Sequence, residues 1–94
     1  MSTLHILSRA PSDADCWRDC LNTCSAGDTL LLIESGVYGA TQRPDALADD
    51  VEFIALQADL DARGLSAMPL AADAVDDAAF VERAVQHANS VSWF

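Results

Sequence analysis

The sequence has few basic residues, few glycines and no long apolar run, and each shortage excludes a class of function. Five basic residues stand against fifteen acidic ones, which gives a formal net charge of −10. A surface with this charge repels phosphate backbones, so we expect no direct binding to nucleic acid. No apolar run approaches the roughly 20 residues that a membrane-spanning helix needs, so we expect no membrane segment.

Hydrolytic and nucleotide-binding motifs are also absent. The four glycines include only one close pair, Gly36 and Gly39, which is too little for a phosphate-binding loop. No serine stands in a Gly-x-Ser-x-Gly motif, and the paired acids at 49–50 and 76–77 are typical of turns and helix caps. We therefore expect neither a catalytic dyad nor a bound cofactor.

The first residues lack the basic and apolar regions of a secretory signal. The three cysteines, an odd number, all lie within residues 16–24, which is unlike a secreted disulfide framework. These two observations predict a cytoplasmic protein with reduced thiols.

Residues 28–40 organise the predicted fold. Residues 29–33 form an unbroken apolar and β-branched run, with Asp28 before it and a polar turn after it. Such a run is typical of a parallel strand buried between two layers of helix. Because open α/β sheets bind ligands at the carboxyl ends of their strands, residues 34–38 are a place to look for function.

Two segments have apolar residues at i, i+1, i+4, i+5 and i+8, which predicts a helix with one buried face in each. The first helix begins after a cap at Ser12 or Asp13, and the second begins after Asp76 or Asp77 and runs to about His87. The two apolar stripes are Cys16, Trp17, Cys20, Leu21 and Cys24, and Phe80, Val81, Ala84, Val85 and Ala88.

The other segments complete an alternation of strands and helices. They are strands at 3–7, 51–56 and 91–94, a short strand near the end of 71–75, a short helix at 57–63, an irregular helical crossover at 37–48 with Pro44 in a first helical turn, and a turn at 89–90. The alternation predicts one α/β domain over residues 1–94. Its mostly parallel sheet of about five strands has helices on both faces.

The three cysteines are the most reactive residues of the sequence. A spacing of four places Cys16, Cys20 and Cys24 on one helical face, where burial statistics favour core packing. The functional alternative is a thiol that carries sulfur, which requires partial exposure and a lowered pKa. Arg18 is the only cation of this helix, which disfavours a strongly activated thiolate.

The two histidines, His5 and His87, lie far from the cysteines along the chain. Structural zinc sites usually take closely spaced Cys and His ligands, so the sequence predicts no metal site. A histidine in the middle of a buried strand is most often a hydrogen-bonded core residue, and we expect this of His5.

Several stretches together resemble the DsrH/TusB family, the small subunit of the DsrEFH and TusBCD sulfur-relay complexes. The resemblance covers essentially the whole chain in order. Its stretches are Leu4-His5-Ile6-Leu7-Ser8-Arg9-Ala10-Pro11, Leu30-Leu31-Leu32-Ile33-Glu34-Ser35-Gly36-Val37-Tyr38-Gly39-Ala40, Ala55-Leu56-Gln57-Ala58-Asp59-Leu60-Asp61-Ala62-Arg63-Gly64, and the segment from Val75-Asp76 through Phe80-Val81 and His87 to Trp93. Asp77 departs from the family pattern, in which an aromatic residue stands beside the acid.

The resemblance implies a DsrE/F-like three-layer fold and a place in a heterohexamer with TusC/DsrF-like and TusD/DsrE-like subunits. Such complexes pass persulfide sulfur to a downstream acceptor protein, either toward 2-thiouridine at the tRNA wobble position or in sulfur oxidation. The main sulfur-accepting cysteine is implied to lie on the TusD/DsrE-like subunit, so this chain is expected to be auxiliary rather than catalytic by itself. Some DsrH-like members have a cysteine in the first helix, and Cys20 matches its place, whereas TusB-like members lack it. Cys20 is therefore the candidate persulfide carrier.

The surface is also expected to bind partners. Apolar residues make up 51% of the chain, which is high for so small a domain, and exposed apolar patches usually mark interfaces. Tyr38, Trp93 and Phe94 are the candidate interface side chains, although the last two are equally consistent with core packing. Two rival functions stay open, namely a thiol enzyme acting alone through Cys20 and a structural homo-oligomer without sulfur chemistry.

Overall fold

The computed structural model describes residues 2–94, which form a five-stranded sheet with helices on both faces. The elements in chain order are β1 (Thr3–Leu7), α1 (Ala14–Thr23), β2 (Thr29–Leu32), a 3₁₀ helix (Glu34–Gly39), β3 (Glu52–Leu56), α2 (Gln57–Ala62), β4 (Asp73–Val75), α3 (Asp77–Gln86) and β5 (Asn89–Trp93). The strand order is β4-β3-β2-β1-β5, and every neighbouring pair is parallel. The predicted three-layer α/β fold is confirmed. Within residues 2–94, no helix is long and apolar enough to cross a membrane.

β2 is the central strand, and all four of its residues are buried. Leu30 and Leu32 point to the larger core cluster, which also contains side chains of α1 and α2. Leu31 points to the opposite face, where it packs with Leu4 and Ile54. The prediction of a strand buried on both faces is therefore confirmed. The run is unbroken and apolar because such a strand has no position for a polar side chain.

The two faces of the sheet are covered unequally. The first face carries α1, α2 and the 3₁₀ helix, whereas Phe80 of α3 packs on the small cluster of the second face. No residue of α3 is buried, and Val81 and Val85 are 63% and 79% exposed. The second layer is therefore thin and leaves apolar side chains in solvent.

Both predicted helix caps are present. The Asp13 carboxylate accepts a hydrogen bond from the Cys16 amide at 3.3 Å, and the Asp76 carboxylate accepts one from the Ala79 amide at 2.9 Å. These bonds satisfy amide groups that have no partner within the first helical turn. Of the alternatives that the sequence left open, Asp13 and Asp76 are the caps.

Two glycines allow close packing beside β1 and α1. A Cβ at Gly36 would overlap the carbonyl oxygen of Leu7, and a Cβ at Gly39 would overlap the ring of Trp17. Trp17 is thereby held against the 3₁₀ helix, and its indole N–H donates to the Arg9 carbonyl at 2.7 Å. These contacts fix the position of α1 relative to the sheet.

The predicted helical crossover at 37–48 is helical only at its start, within the 3₁₀ helix. The chain then runs through turns, one of which begins at Pro44. The Arg43 guanidinium donates to the carbonyls of Ala48 and Val51 at 2.6 and 2.9 Å. The predicted helix is wrong here because the Arg43 side chain, and not a helical backbone amide, donates to these carbonyls.

β5 begins earlier than predicted. Asn89 and Ser90, predicted as a turn, pair with Thr3 and Leu4 of β1, and Phe94 lies beyond the end of the strand. The predicted turn is wrong because pairing with the neighbouring strand β1 satisfies the backbone hydrogen-bonding groups of both residues.

Candidate functional site

The carboxyl edge of the sheet carries an open cleft of about 490 Å³. Arg9, Asp13, Glu34 and Phe94 are among its lining residues. The Arg9 guanidinium is paired with the Asp13 carboxylate at 2.9 Å, so the cleft does not present a free cation to an anionic ligand. The three cysteines do not line it. The chemically reactive groups therefore lie away from the edge that the sequence favoured, under α1.

The thiols of α1 differ in exposure. Cys20 is fully buried in the larger core cluster, whereas Cys16 and Cys24 are partly buried at its margin. All three are free cysteines. Cys16 and Cys20 lie on the inner stripe of α1 and Cys24 is its C-cap, and these places agree with core packing. Cys20 as a persulfide carrier stays a prediction, and its burial means that it must become accessible before it can accept sulfur.

The thiols also differ in acidity. The pKa of Cys20 is raised because its thiol shares a hydrogen bond with Cys24 and because it is buried. The same hydrogen bond lowers the pKa of Cys24, against the opposing effects of burial and of the Asp28 charge. Burial and the charge of Asp13 raise the pKa of Cys16. Cys24 is therefore the thiol that most readily forms a thiolate, which is the nucleophilic form.

His5 lies beneath α1 with both ring nitrogens hydrogen-bonded. Nε2 is 2.9 Å from the Asp28 carboxylate, and Nδ1 is 3.3 Å from the indole Nε1 of Trp93. A carboxylate only accepts and an indole N–H only donates, so Nε2 carries the proton and Nδ1 carries the lone pair. The rings of His5 and Trp93 also stack, with centroids 6.3 Å apart. His5 is thus the hydrogen-bonded core histidine that the sequence predicted.

Asp28 is buried and accepts three hydrogen bonds. Its donors are the Thr3 amide, the Ser25 amide and the His5 ring, each at 2.9 Å. Burial acts to raise the pKa of this carboxyl, but these hydrogen bonds outweigh it and leave the pKa lowered. The carboxylate therefore stays ionised and joins the start of β1, the turn after α1 and the start of β2.

The fold brings one histidine to two of the cysteines. A ring nitrogen of His5 and the Sγ atoms of Cys20 and Cys24 all lie within 4.8 Å of one another. The sequence argument against a metal site depended on the distance of His5 along the chain, and the structure removes that objection. One signal in the sequence could have indicated this cluster. Cys20 and Cys24 are four residues apart on the apolar face of the helix, and that face has to pack on the sheet that contains His5.

The candidate interface side chains are spread over two regions. Tyr38 is half exposed on the 3₁₀ helix, and Phe94 is 85% exposed at the cleft. Trp93 is partly buried because it stacks on His5, which favours the packing role for this residue. Interface roles for all three stay predictions.

Comparison with known proteins decides the family. The model of the family described as DsrH like protein matches residues 9–90. The chain belongs to the DsrH/TusB family. A protein named TusB from Enterobacter sp. (strain 638) is 36% identical over 95 residues, covering 96% of this chain and 99% of the relative. A TusB from Cronobacter sakazakii is 33% identical over 95 residues, with the same two coverages.

The resemblance deduced from the sequence is therefore confirmed, and this DsrH/TusB chain spans almost the full length of both relatives. The departure at Asp77 is accommodated locally, because Asp77 is the exposed first residue of α3 and Asp76 supplies the cap.

We expect burial to protect Cys20 from alkylation and acidity to set the order of the two partly buried thiols. In the reduced, folded protein, iodoacetamide should modify Cys24 before Cys16 and leave Cys20 unmodified until the chain unfolds. Because the pKa of Cys24 is lowered and that of Cys16 is raised, the Cys24 rate should reach half its maximum at a lower pH than the Cys16 rate does. Tandem mass spectrometry of pulse-labelled protein at a series of pH values measures this. Equal rates at Cys20 and Cys24 would contradict it.

Asp28→Asn should destabilise the domain at neutral pH by about 1.5–3 kcal/mol, because an amide loses at least one of the charge-assisted hydrogen bonds. A lowered folded pKa gives stability that is present above the ordinary carboxyl value of 3.8 and is lost as the pH falls through the folded pKa. The deficit of the variant should therefore shrink in acid. Urea unfolding from pH 7 to pH 3 measures it, with the exposed Asp49→Asn as the control. Equal midpoints for both variants at neutral pH would show that Asp28 has no such role.

Proposed function

We propose that this chain is an auxiliary subunit of a cytoplasmic sulfur-relay heterohexamer that passes persulfide sulfur toward 2-thiouridine at the tRNA wobble position. Its partners are TusC/DsrF-like and TusD/DsrE-like subunits, each present twice beside two copies of this chain. The near full-length match to two TusB proteins carries the proposal. A downstream acceptor protein receives the sulfur from the assembled complex.

The surface supports a role in assembly. β5 is an edge strand whose residues are almost all exposed, and an unpaired edge is a natural place for another chain. Phe94 follows directly after it, and Val81 and Val85 are exposed on α3. A domain of this size keeps such groups in solvent at a cost that burial against a partner removes.

The charges support a subunit that does not touch tRNA itself. All five arginines are already engaged. Arg9, Arg18, Arg63 and Arg83 pair with carboxylates, and Arg43 donates to backbone carbonyls. With fifteen acidic residues beside them, the surface offers little attraction to phosphate.

The site supports an auxiliary role rather than independent catalysis. Cys20, the cysteine at the matching family position, is fully buried, and its pKa is raised. A protonated, buried thiol is a poor nucleophile. A thiol enzyme acting alone through Cys20 is therefore the weaker alternative.

A role in a sulfur-oxidation complex of the DsrEFH type is the second candidate. The presence of Cys20 favours it, because the resemblance associates a first-helix cysteine with DsrH-like members. The two candidates share the heterohexamer and differ in the acceptor of the sulfur.

Purification of the tagged chain from its native cells tests the assembly. We expect two small proteins to co-purify in equal amounts, with a mass by light scattering near six subunits. Deletion of the chain should then remove 2-thiouridine from tRNA, measured by mass spectrometry of nucleosides. If the complex is found but deletion of the chain leaves the 2-thiouridine content of tRNA unchanged, the result would favour a role in sulfur oxidation. A lone chain or a homo-oligomer would overturn the proposal.

The same complex tests the interface prediction. Phe94→Ser should weaken assembly at least tenfold, because a buried interface aromatic commonly contributes about 2 kcal/mol or more. Met68→Ser is the control, since Met68 is also a large apolar side chain in solvent, at 48% exposure, but lies far along the chain in the 63–72 connection. Equal recovery of partners with both variants would show that Phe94 is not an interface anchor.

A further inference from the structure

We propose that His5, Cys20 and Cys24 form a binding site for one Zn²⁺ ion between β1 and α1. The inference goes beyond the sulfur-relay role and does not depend on it. Three ligand atoms, one from each residue, lie within 4.8 Å of one another. Tetrahedral zinc holds its nitrogen and sulfur ligands roughly 3.3–3.8 Å apart, as follows from bond lengths of about 2.0 and 2.3 Å. Small side-chain rotations are enough to close this difference.

The donor set determines the class of metal. Two thiolates and one imidazole suit a thiophilic ion such as Zn²⁺ and are poor ligands for Mg²⁺ or Ca²⁺, which prefer oxygen. Three protein ligands leave a fourth position open, and Cys24, the partly exposed ligand, lies on the solvent side of the cluster. Binding releases the thiol protons, so the ion and two thiolates together are neutral.

The surroundings of His5 match those of metal-binding histidines. Such a histidine usually donates its second ring N–H to a carboxylate, which fixes the tautomer and raises the basicity of the ligating nitrogen. Asp28 holds Nε2 in this way at 2.9 Å, and its buried carboxylate is itself fixed by two backbone amides. Nδ1 keeps the lone pair, and its present partner is the indole of Trp93 at a long 3.3 Å. Of the two ring nitrogens, Nδ1 therefore has both the free lone pair and the longer present contact.

The competing explanation is that the three residues only pack. Cys20 and Cys24 pack in the core or at its margin, and both ring nitrogens of His5 have partners, so no buried nitrogen or oxygen of the described residues requires a metal. Packing and metal binding make different predictions for Cys16. This third thiol lies on the same face of α1, one turn earlier, but outside the cluster. It provides a matched control.

Titration of the reduced full-length protein with Co²⁺, without oxygen, tests the site. We expect thiolate-to-cobalt charge-transfer absorption that saturates at one Co²⁺ per chain and disappears when Zn²⁺ is added, because Zn²⁺ binds such sites more tightly. Cys24→Ser and His5→Gln should each weaken binding at least tenfold, whereas Cys16→Ser should bind like the unmodified protein. Binding that is unchanged by Cys24→Ser, or is lost with Cys16→Ser, would overturn the proposal.

A second measurement needs no variant and therefore does not depend on whether a variant folds. One equivalent of Zn²⁺ should slow alkylation of Cys24 at least tenfold in the unmodified protein and leave the rate of Cys16 unchanged. Equal protection of the two thiols, or no protection of either, would mean that Zn²⁺ does not bind at the cluster. Neither result bears on the relay proposal, which is tested by the composition of the complex.

Discussion

The buried carboxylate of Asp28 connects more of this fold than any single apolar contact. Its oxygens accept from the Thr3 amide, the Ser25 amide and the His5 ring, and its backbone carbonyl accepts from the Glu52 amide at 3.0 Å. One residue thereby links β1, the turn after α1, β2 and the start of β3. A charge in the interior is tolerated only when such bonds replace water. This arrangement ties the starts of the three strands together and holds the His5 ring in one direction.

The same arrangement explains why the reactive groups lie beneath α1 rather than at the carboxyl edge of the sheet. Asp28 turns the His5 ring toward the end of α1, and the i, i+4 spacing places Cys20 and Cys24 on the face of the helix that meets it. The cleft at the opposite edge has a cation already paired with Asp13. Glu34 and Ser35 line this cleft, so the carboxyl edge stays a place to look for function, as the sequence predicted.

The sequence was sufficient wherever a local pattern dominates. The run at β2, the two apolar stripes and the Asp13 and Asp76 caps are signals that tertiary contacts reinforce, so the α/β fold could be predicted. The sequence was insufficient where the local structure depends on a contact with a residue farther along the chain. Arg43 replaces a helix by bonding carbonyls five and eight residues away, and β5 takes in Asn89 because β1 lies beside it.

The histidine at the thiol cluster shows the same limit at the candidate site. Nothing in the spacing of His5 and Cys20 along the chain indicates proximity, since it arises only when β1 and α1 pack. Cysteine burial, by contrast, could be predicted, because the thiols coincide with the apolar stripe of α1. The residue types of a site were therefore visible in the sequence, but the grouping of those residues required the fold.

Burial also limits how this chain can take part in sulfur transfer. Exposing Cys20 requires α1 to leave the sheet, and the same face of α1 buries Trp17, whose contacts are of the kind worth about 3–5 kcal/mol. Cys24 needs no such movement, and its lowered pKa makes it the better nucleophile. A persulfide of a partner would therefore meet a partly buried thiol, Cys16 or Cys24, before it meets Cys20. To pass the sulfur on to Cys20, the Cys20 thiolate would have to attack the outer sulfur and release the thiolate of the first cysteine. The family position of Cys20 and the lowered pKa of Cys24 thus point to different residues, so the persulfide role predicted for Cys20 has to be tested beside Cys24.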